Sequence, residues 1–173
     1  MAAYNRGMET NKILIDAFER IKEVVHDAVT GLNDGQLVFR PEKDANSIAW
    51  LVWHLSRVQD DHMSELADHE QTWTADNWYD KFDLPFDESA TGYGQSSSEV
   101  ARVKAPADLL IGYYDAVHNQ TIEFLQSLDE KDYEKIVDTN WNPPVTMAAR
   151  IVSVISDDLQ HCGQAAYVRG LVS

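Results

Sequence analysis

Three residues near the end of the chain, Asp157, Asp158 and His161, have the types and the spacing that could support chemistry. At 100° per residue, Asp157 lies one helical turn before His161 and about 40° to one side of it, and Asp158 lies about 60° to the other side. His161 points along an apolar stripe, where charged groups are costly unless they are paired or bind a metal. Two interpretations stay open for these residues: hydrogen-bonded core groups, or part of a metal site.

A second segment carries histidines and an acid at helical spacing. His54 falls on the inner side of its helix, Asp61 returns to nearly the same angle seven residues later, and His62 lies near the centre of the apolar face. A lone histidine at such a position is more often a core residue than a ligand. Together, the two segments offer imidazole, carboxylate and imidazole, which suit Zn²⁺, Ni²⁺ or Fe²⁺. Three protein ligands leave a coordination position open, as is typical of catalytic metal sites.

Four segments with a helical hydrophobic period must position these residues. They lie at about residues 9–30, 46–67, 106–128 and 146–169. Gly31 and Gly170 are predicted to end the first and the fourth helix, and Asn46 or Ser47 to cap the second. No strand pattern appears. The sequence therefore predicts an all-α fold, a four-helix bundle with a long crossover between helices two and three.

Two segments between the helices break this period. Residues 33–44 contain Gly35 and Pro41 and are predicted to form a structured loop. Residues 68–105 mix aromatic side chains such as Trp73 with acids, and a segment of that length inside a compact domain is usually functional or disordered. Its aromatic residues argue against disorder and predict packing across one end or side of the bundle.

The composition is that of a folded, acidic protein. The chain has 173 residues, the length of one domain, and 44% of them are hydrophobic. Its 14 basic and 29 acidic residues give a net charge of −15, which is opposite to the basic footprint that nucleic-acid binding requires. A single cysteine, Cys162, excludes an intramolecular disulfide. Because neither a signal-peptide pattern nor an apolar stretch of ~20 residues appears, we expect a cytoplasmic protein without a membrane partner.

Two runs of sequence resemble the motifs of a known superfamily. The run SIAWLVWHLSR, from Ser47 to Arg57, followed by Asp60-Asp61-His62, resembles the helix-two motif of the DinB-like superfamily. The run DDLQHCGQAAYVRG, which begins at Asp157, resembles its helix-four motif. Two further segments, Thr91-Gly92-Tyr93-Gly94 and Trp141-Asn142-Pro143-Pro144, resemble an actinobacterial branch, and the resemblance covers nearly the whole chain.

The resemblance implies a bundle that holds a divalent metal, most simply Zn²⁺ or Ni²⁺, with one ligand from helix two and a pair from helix four. Carried over by position, the ligands are His54, Asp157 and His161. The commonest pattern has His at the position of Asp157, and the related thiol-dependent maleylpyruvate isomerases have Glu. Asp158 is the alternative ligand. The resemblance also implies activities that use a low-molecular-weight thiol such as mycothiol or bacillithiol.

Three functions are therefore open. The first is a metal-dependent transferase or isomerase that uses a mycothiol-type thiol and acts on a small electrophile, with Gln164 and His62 as candidates for orienting a ligand or contacting substrate. The second is a non-catalytic metal- or ligand-binding bundle, a sensor or partner module. The third is a metal-dependent hydrolase with Asp158 or Asp61 as the base.

The remaining candidates are predicted to be structural. Cys162 is turned about 100° from His161 and is expected to be a small core residue. We expect His26, His69 and His118 to face solvent, and Thr121 to bond its own helix.

The fourth helix is also apolar on the side away from His161, where Ala148, Val152 and Leu159 lie. A helix that is apolar nearly all round is covered on both sides. The crossover or a second subunit would supply this cover, and the pattern predicts a homodimer.

Overall fold

The structure, a computed structural model, describes residues 10–173 and contains α-helices, the loops that join them and one small hairpin. In chain order the helices are α1 Thr10–Val29, α2 Asp34–Leu37, α3 Ile48–Ala67, α4 Thr72–Ala75, α5 Trp78–Phe82, α6 Ser97–Val100, α7 Ala107–Ser127 and α8 Met147–Val172. A 3₁₀ turn, Asp132–Glu134, precedes strands β1, Ile136–Asp138, and β2, Val145–Thr146. The four long helices confirm the predicted all-α bundle and its crossover.

The long helices surround one apolar core. Helices α1 and α3 each pack against both α7 and α8. The fully buried side chains at these contacts include Phe18, Ile21, Val25, Leu51, Leu55, Tyr113, Val117, Leu125, Ile151 and Val154. Within residues 10–173, no helix combines the length and the apolar character that crossing a membrane would need.

The structure confirms the caps predicted at Ser47 and Gly31, and it adds one at Thr146. The hydroxyl of Ser47 accepts from the backbone N–H of Trp50 at 3.2 Å and begins α3. Thr146 begins α8 in the same way, through the N–H of Ala149 at 3.2 Å. Gly31, which follows α1 after Thr30, has a φ of +81°, a conformation that favours glycine.

The crossover, residues 68–105, is fastened to α3 by two buried charged side chains. The carboxylate of Asp60 accepts from the backbone N–H groups of Thr72 and Trp73 at 2.9 and 2.8 Å. The guanidinium of Arg57 donates to the carbonyl of Ala90 at 3.1 Å and lies 3.7 Å from Asp60. These contacts hold the crossover to α3 near its beginning and at Ala90, directly before the segment that reaches His54.

The aromatic residues of the crossover pack as predicted. The Trp73 ring lies 5.0 Å from that of Tyr113 on α7 and 5.2 Å from that of Phe82. The indole ring also lies beneath the Arg57 guanidinium, 4.7 Å from its centroid.

Three local predictions were wrong. Residues 136–138 pair with 145–146 as an antiparallel hairpin, which is too short to leave an alternating pattern in the sequence. Residues 34–37 form α2, begun by a capping box at Asn33. Helix α8 continues through Gly170 to Val172 because this glycine does not take the positive φ of a terminating residue.

Candidate metal centre

His54, Asp157 and His161 come together where α3 packs against α8, and we call them the ligand trio. One candidate ligand atom from each lies within 4.8 Å of the other two. Nε2 of His161 is 3.6 Å from Oδ1 of Asp157, and the two imidazole rings meet edge-on with centroids 4.8 Å apart. Ligand atoms around one tetrahedral zinc ion are about 3.4 Å apart, given bonds near 2.1 Å. The trio therefore has both the donor types and the approximate spacing of a metal site.

The orientation of His54 is fixed from the crossover. Its Nδ1 lies 2.5 Å from the carbonyl oxygen of Thr91, which can only accept a hydrogen bond, so Nδ1 carries the proton and Nε2 keeps its lone pair. The ring stacks on Trp50 at a centroid distance of 4.5 Å and an angle of 20°. Burial lowers the pKa of His54, against the opposing effect of the Thr91 contact, and favours the neutral form that binds a metal.

Gly92 makes this close approach of the crossover possible. Its φ is +94°, and a Cβ at this position would lie 2.8 Å from Nδ1 of His54 and 3.0 Å from the Trp53 ring. A side chain here would displace the imidazole or the loop. Gly94 also has a positive φ, +73°, but a Cβ there would meet nothing within 4 Å.

His161 is oriented from its own helix. The amide oxygen of Gln164 lies 3.1 Å from its Nδ1, which leaves Nε2 directed to Asp157. Burial lowers the pKa of His161, but the hydrogen bonds with Asp157 and Gln164 outweigh it and the net pKa is raised. For Asp157, burial raises the pKa and the contacts with His161 and His54 outweigh it, so the carboxylate is favoured. Its Oδ2 is buried without a hydrogen-bond partner.

A cavity of about 450 Å³ opens beside the trio. It is lined by His54, Val58, Asp61, His62, Thr91, Tyr93, Ser153 and Asp157. Tyr93 is 92% exposed and therefore lies at the rim. Asp61 and His62, both predicted near the site, line the cavity, and burial, followed by the charge of Arg150, lowers the pKa of His62.

Asp158 points to a different part of the bundle. Its side chain is fully buried and neither carboxyl oxygen has a hydrogen-bond partner. Burial first, and then the charge of Asp157, raises its pKa well above the ordinary range. The buried hydroxyl of Tyr114 also lacks a partner, and its pKa is raised by its own burial and by the nearby Asp158. The structure does not group Asp158 with the trio.

Two of the structural predictions were wrong and one is confirmed. His118 is buried rather than solvent-facing, because its ring packs near Tyr114 and its Nε2 contacts Glu19 at 3.3 Å. Thr121 accepts from the Gln59 amide of α3 at 2.8 Å instead of bonding its own helix. Cys162 is a core residue, and burial, followed by the charge of Asp158, raises the pKa of its thiol to about 11.

His26 and His69 differ in their surroundings. His26 is partly buried and its Nε2 lies 2.8 Å from Asp115. His69 is exposed, as predicted, and its ring contacts the backbone of Glu70.

The helical period could not reveal the roles of the residues that support His54, which are Trp50, Thr91 and Gly92. Thr91 and His54 are 37 positions apart, and their contact depends on the path of the crossover. The one available signal was the Thr91-Gly92-Tyr93-Gly94 run, in which two glycines flank an aromatic residue.

Comparison with known proteins identifies the family. The sequence profile of the mycothiol-S-transferases matches residues 13–173. The chain belongs to this family. Its place in the DinB-like superfamily, which the motifs had indicated, is thereby confirmed.

A solved structure supports the same fold. The chain is similar to a conserved protein of Enterococcus faecalis, with 29% sequence identity and a TM-score of 0.89 over 96% of this chain and 98% of the other. No curated protein matches the chain.

Proposed function

We propose that this protein is a metal-dependent S-transferase that joins a low-molecular-weight thiol of the mycothiol type to a small electrophile. The observation that carries the proposal is the ligand trio beside an open cavity, with the second nitrogen of each imidazole already engaged. Membership of the mycothiol-S-transferase family supports the thiol.

The donor set fits a divalent metal of the zinc or nickel class. His54 and His161 would each present Nε2, and Asp157 would add a carboxylate oxygen. The contacts with Thr91 and Gln164 fix both ring orientations, a role that outer groups commonly play around metal-bound histidines. When bound, the metal would lower the pKa of a coordinated thiol and so supply thiolate near neutral pH.

The chain itself offers no competing sulfur nucleophile in the described residues. Cys162 is 2% exposed, and with a pKa of about 11 its thiol stays protonated at neutral pH. The reacting sulfur must therefore come from a second molecule, and the cavity beside the trio has room for it.

In the transfer, the thiol sulfur forms a bond to the electrophilic carbon while the bond from that carbon to its leaving group breaks. The leaving group takes the bonding electrons, and the thiol proton passes to solvent. The trio would position the sulfur, and the Trp50 ring stacked on His54 would shield that side from water.

The hydrolase alternative receives less support from the geometry. It needs a base beside the site, yet Asp158 is fully buried and absent from the cavity lining. Asp61 lines the cavity, but it already accepts a hydrogen bond from Gln71 at 2.7 Å.

The test uses zinc- or nickel-loaded protein with mycothiol and 1-chloro-2,4-dinitrobenzene, and follows thioether formation by absorbance. We expect a rate above that of thiol alone, lost in His161→Ala and retained in His69→Ala, an exposed histidine outside the site. Turnover of an ester without thiol would favour the hydrolase instead. Stoichiometric metal without either activity would favour the non-catalytic binding module.

A further inference from the structure

The cavity beside the trio carries negative charge without a lining cation. Two of its eight lining residues are carboxylates, Asp61 and Asp157, and none of these described lining residues is Lys or Arg. Asp157 belongs to the proposed ligands. Asp61 is therefore the lining carboxylate that is not a proposed metal ligand.

Among the described residues, neither a Lys nor an Arg side chain contacts Asp61 directly. Its Oδ1 accepts from the neutral amide of Gln71 at 2.7 Å, and its Oδ2 lies 3.9 Å from Nδ1 of His62. The carboxylate side chain is 43% exposed. Nδ1 of His62 is buried without a hydrogen-bond partner, so it gives Asp61 no hydrogen bond.

Two cations near this region, Arg57 and Arg150, are already paired. Arg57 donates to the amide oxygen of Gln71 at 2.8 Å, but its guanidinium lies 3.7 Å from the carboxylate of Asp60. Arg150 influences His62 electrostatically, but its guanidinium lies 3.0 Å from the carboxylate of Asp138 and does not line the cavity. The chain as a whole has a net charge of −15, which adds to the negative potential at Asp61.

The distance along α3 sets the size of a ligand that would reach this charge. Asp61 follows His54 by seven residues, or about 10 Å at 1.5 Å per residue. A thiol whose sulfur lies at the trio must extend about that far to meet Asp61. Cysteine is too short, whereas a thiol of tripeptide or glycoside size is long enough.

We infer that the cavity holds the distal part of the thiol co-substrate and that Asp61 selects for uncharged or cationic groups there and rejects distal carboxylates. This inference rests on the proposed function, since it takes the sulfur to lie at the trio. A hydroxyl- or amine-bearing head group would donate to Asp61, while a carboxylate at this position would meet a like charge without a compensating cation.

The test compares two thiols with one skeleton and different charge, glutathione and glutathione diethyl ester, on cobalt-substituted protein. Sulfur bound to Co²⁺ produces charge-transfer absorption, which reports binding without turnover. We expect the ester to bind roughly 3- to 15-fold more tightly, from two charges acting over about 10 Å in a partly aqueous cavity. In Asp61→Asn, which keeps an oxygen to accept from Gln71, this ratio should fall towards one.

Asp27→Asn is the matched control, because it removes the same charge from an exposed position on α1. It should keep the preference of the wild type. Equal affinity for the two thiols in the wild type, or an unchanged preference in Asp61→Asn, would overturn the charge selection and leave the proposed function standing. Absence of sulfur absorption with both thiols would instead overturn the proposed function, and this inference with it.

Discussion

Two clusters of buried polar side chains lie one helical turn apart on α3, and they differ in how completely the protein satisfies them. Around Arg57 and Asp60, protein groups meet both charges: Asp60 accepts from two backbone N–H groups, and also from the hydroxyls of Tyr113 at 2.8 Å and Ser64 at 3.1 Å. Around His54, the carbonyl of Thr91 contacts Nδ1, and Nε2 is left for the site that His54 shares with Asp157 and His161.

The difference separates a structural cluster from the proposed metal site. A buried ion pair that is fully hydrogen-bonded fastens the crossover and has no capacity left for a ligand. The trio keeps donor atoms free beside a cavity and has its remaining nitrogen atoms fixed in place. A missing hydrogen-bond partner does not by itself make a side chain part of the site. Asp158 also lacks partners, but it does not line the cavity.

The largest expected effect comes from breaking the structural cluster. Arg57→Met would leave Asp60 buried without its cation, and we expect the free energy of unfolding to fall by about 3–5 kcal/mol in urea denaturation. Arg20→Met is the matched control, since it removes an exposed i, i+4 partner of Asp16 and should change stability little. Equal losses in the two variants would show that the Arg57 cluster does not anchor the crossover.

Gly92 and Gly94 test the link between the crossover and the trio. Both have positive φ, so alanine at either position should cost about 1–3 kcal/mol of stability. Gly92→Ala alone would place a Cβ against His54, and we expect its metal affinity to fall by a factor on the order of 10–100. Metal titration with a competing chelator measures this, and an affinity equal to that of Gly94→Ala would contradict the role given to Gly92.

These two regions also show what could be predicted from the sequence. The helical period placed the core and singled out polar residues that break an apolar stripe, and the family resemblance selected His54, Asp157 and His161 among them. The helical period could not reveal contacts between distant segments, such as Thr91 with His54 or Gln59 with Thr121. The prediction for His118 failed for the same reason, since its surroundings depend on Glu19 of another helix.

We expect the carboxyl group of Asp158 to lower the stability of the fold at neutral pH rather than to bind the metal. Burial raises its pKa in the folded state above the unfolded value near 3.9, so the stability associated with its neutral form is complete below pH ~4. That stability is lost as the pH rises from there towards the folded pKa. Asp158→Asn removes the titration, and we expect it to raise the free energy of unfolding at pH 7 by about 1–3 kcal/mol while leaving it nearly unchanged at pH 3.5. Urea denaturation at both pH values measures the difference, and a loss of stability at pH 7 would contradict this account.

The smallest expected effect concerns the outer side of α8. Val152 and Leu159 are 55% and 50% exposed, as the predicted homodimer requires, while Ala148 is partly buried. The exposed residues from Val152 to Leu171 carry no charge, on a chain whose net charge is −15, so two copies could meet there without like-charge repulsion.

Sedimentation equilibrium at micromolar concentration tests this prediction. We expect the wild type at twice the chain mass of 19.6 kDa, Leu159→Lys shifted towards the monomer, and Ile13→Lys, a comparably exposed change on α1, like the wild type. A wild type that sediments as a 19.6 kDa species would show that this face has no second copy on it.

The central claim is that His54, Asp157 and His161 form one metal site, and calorimetric titration with Zn²⁺ and Ni²⁺ tests it most directly. We expect the wild type to bind one metal per chain and His54→Ala and His161→Ala to lose stoichiometric binding. In Asp157→Asn the metal affinity should fall by a factor on the order of 10–100. The controls His69→Ala and Asp158→Asn should bind the metal like the wild type. Because the pKa of His161 is raised, protons should compete at a higher pH than for a free imidazole, and affinity should fall as the pH is lowered through that range. Wild-type affinity in all three trio variants would contradict the site, and retention in Asp157→Asn with loss in Asp158→Asn would show that the wrong aspartate was assigned.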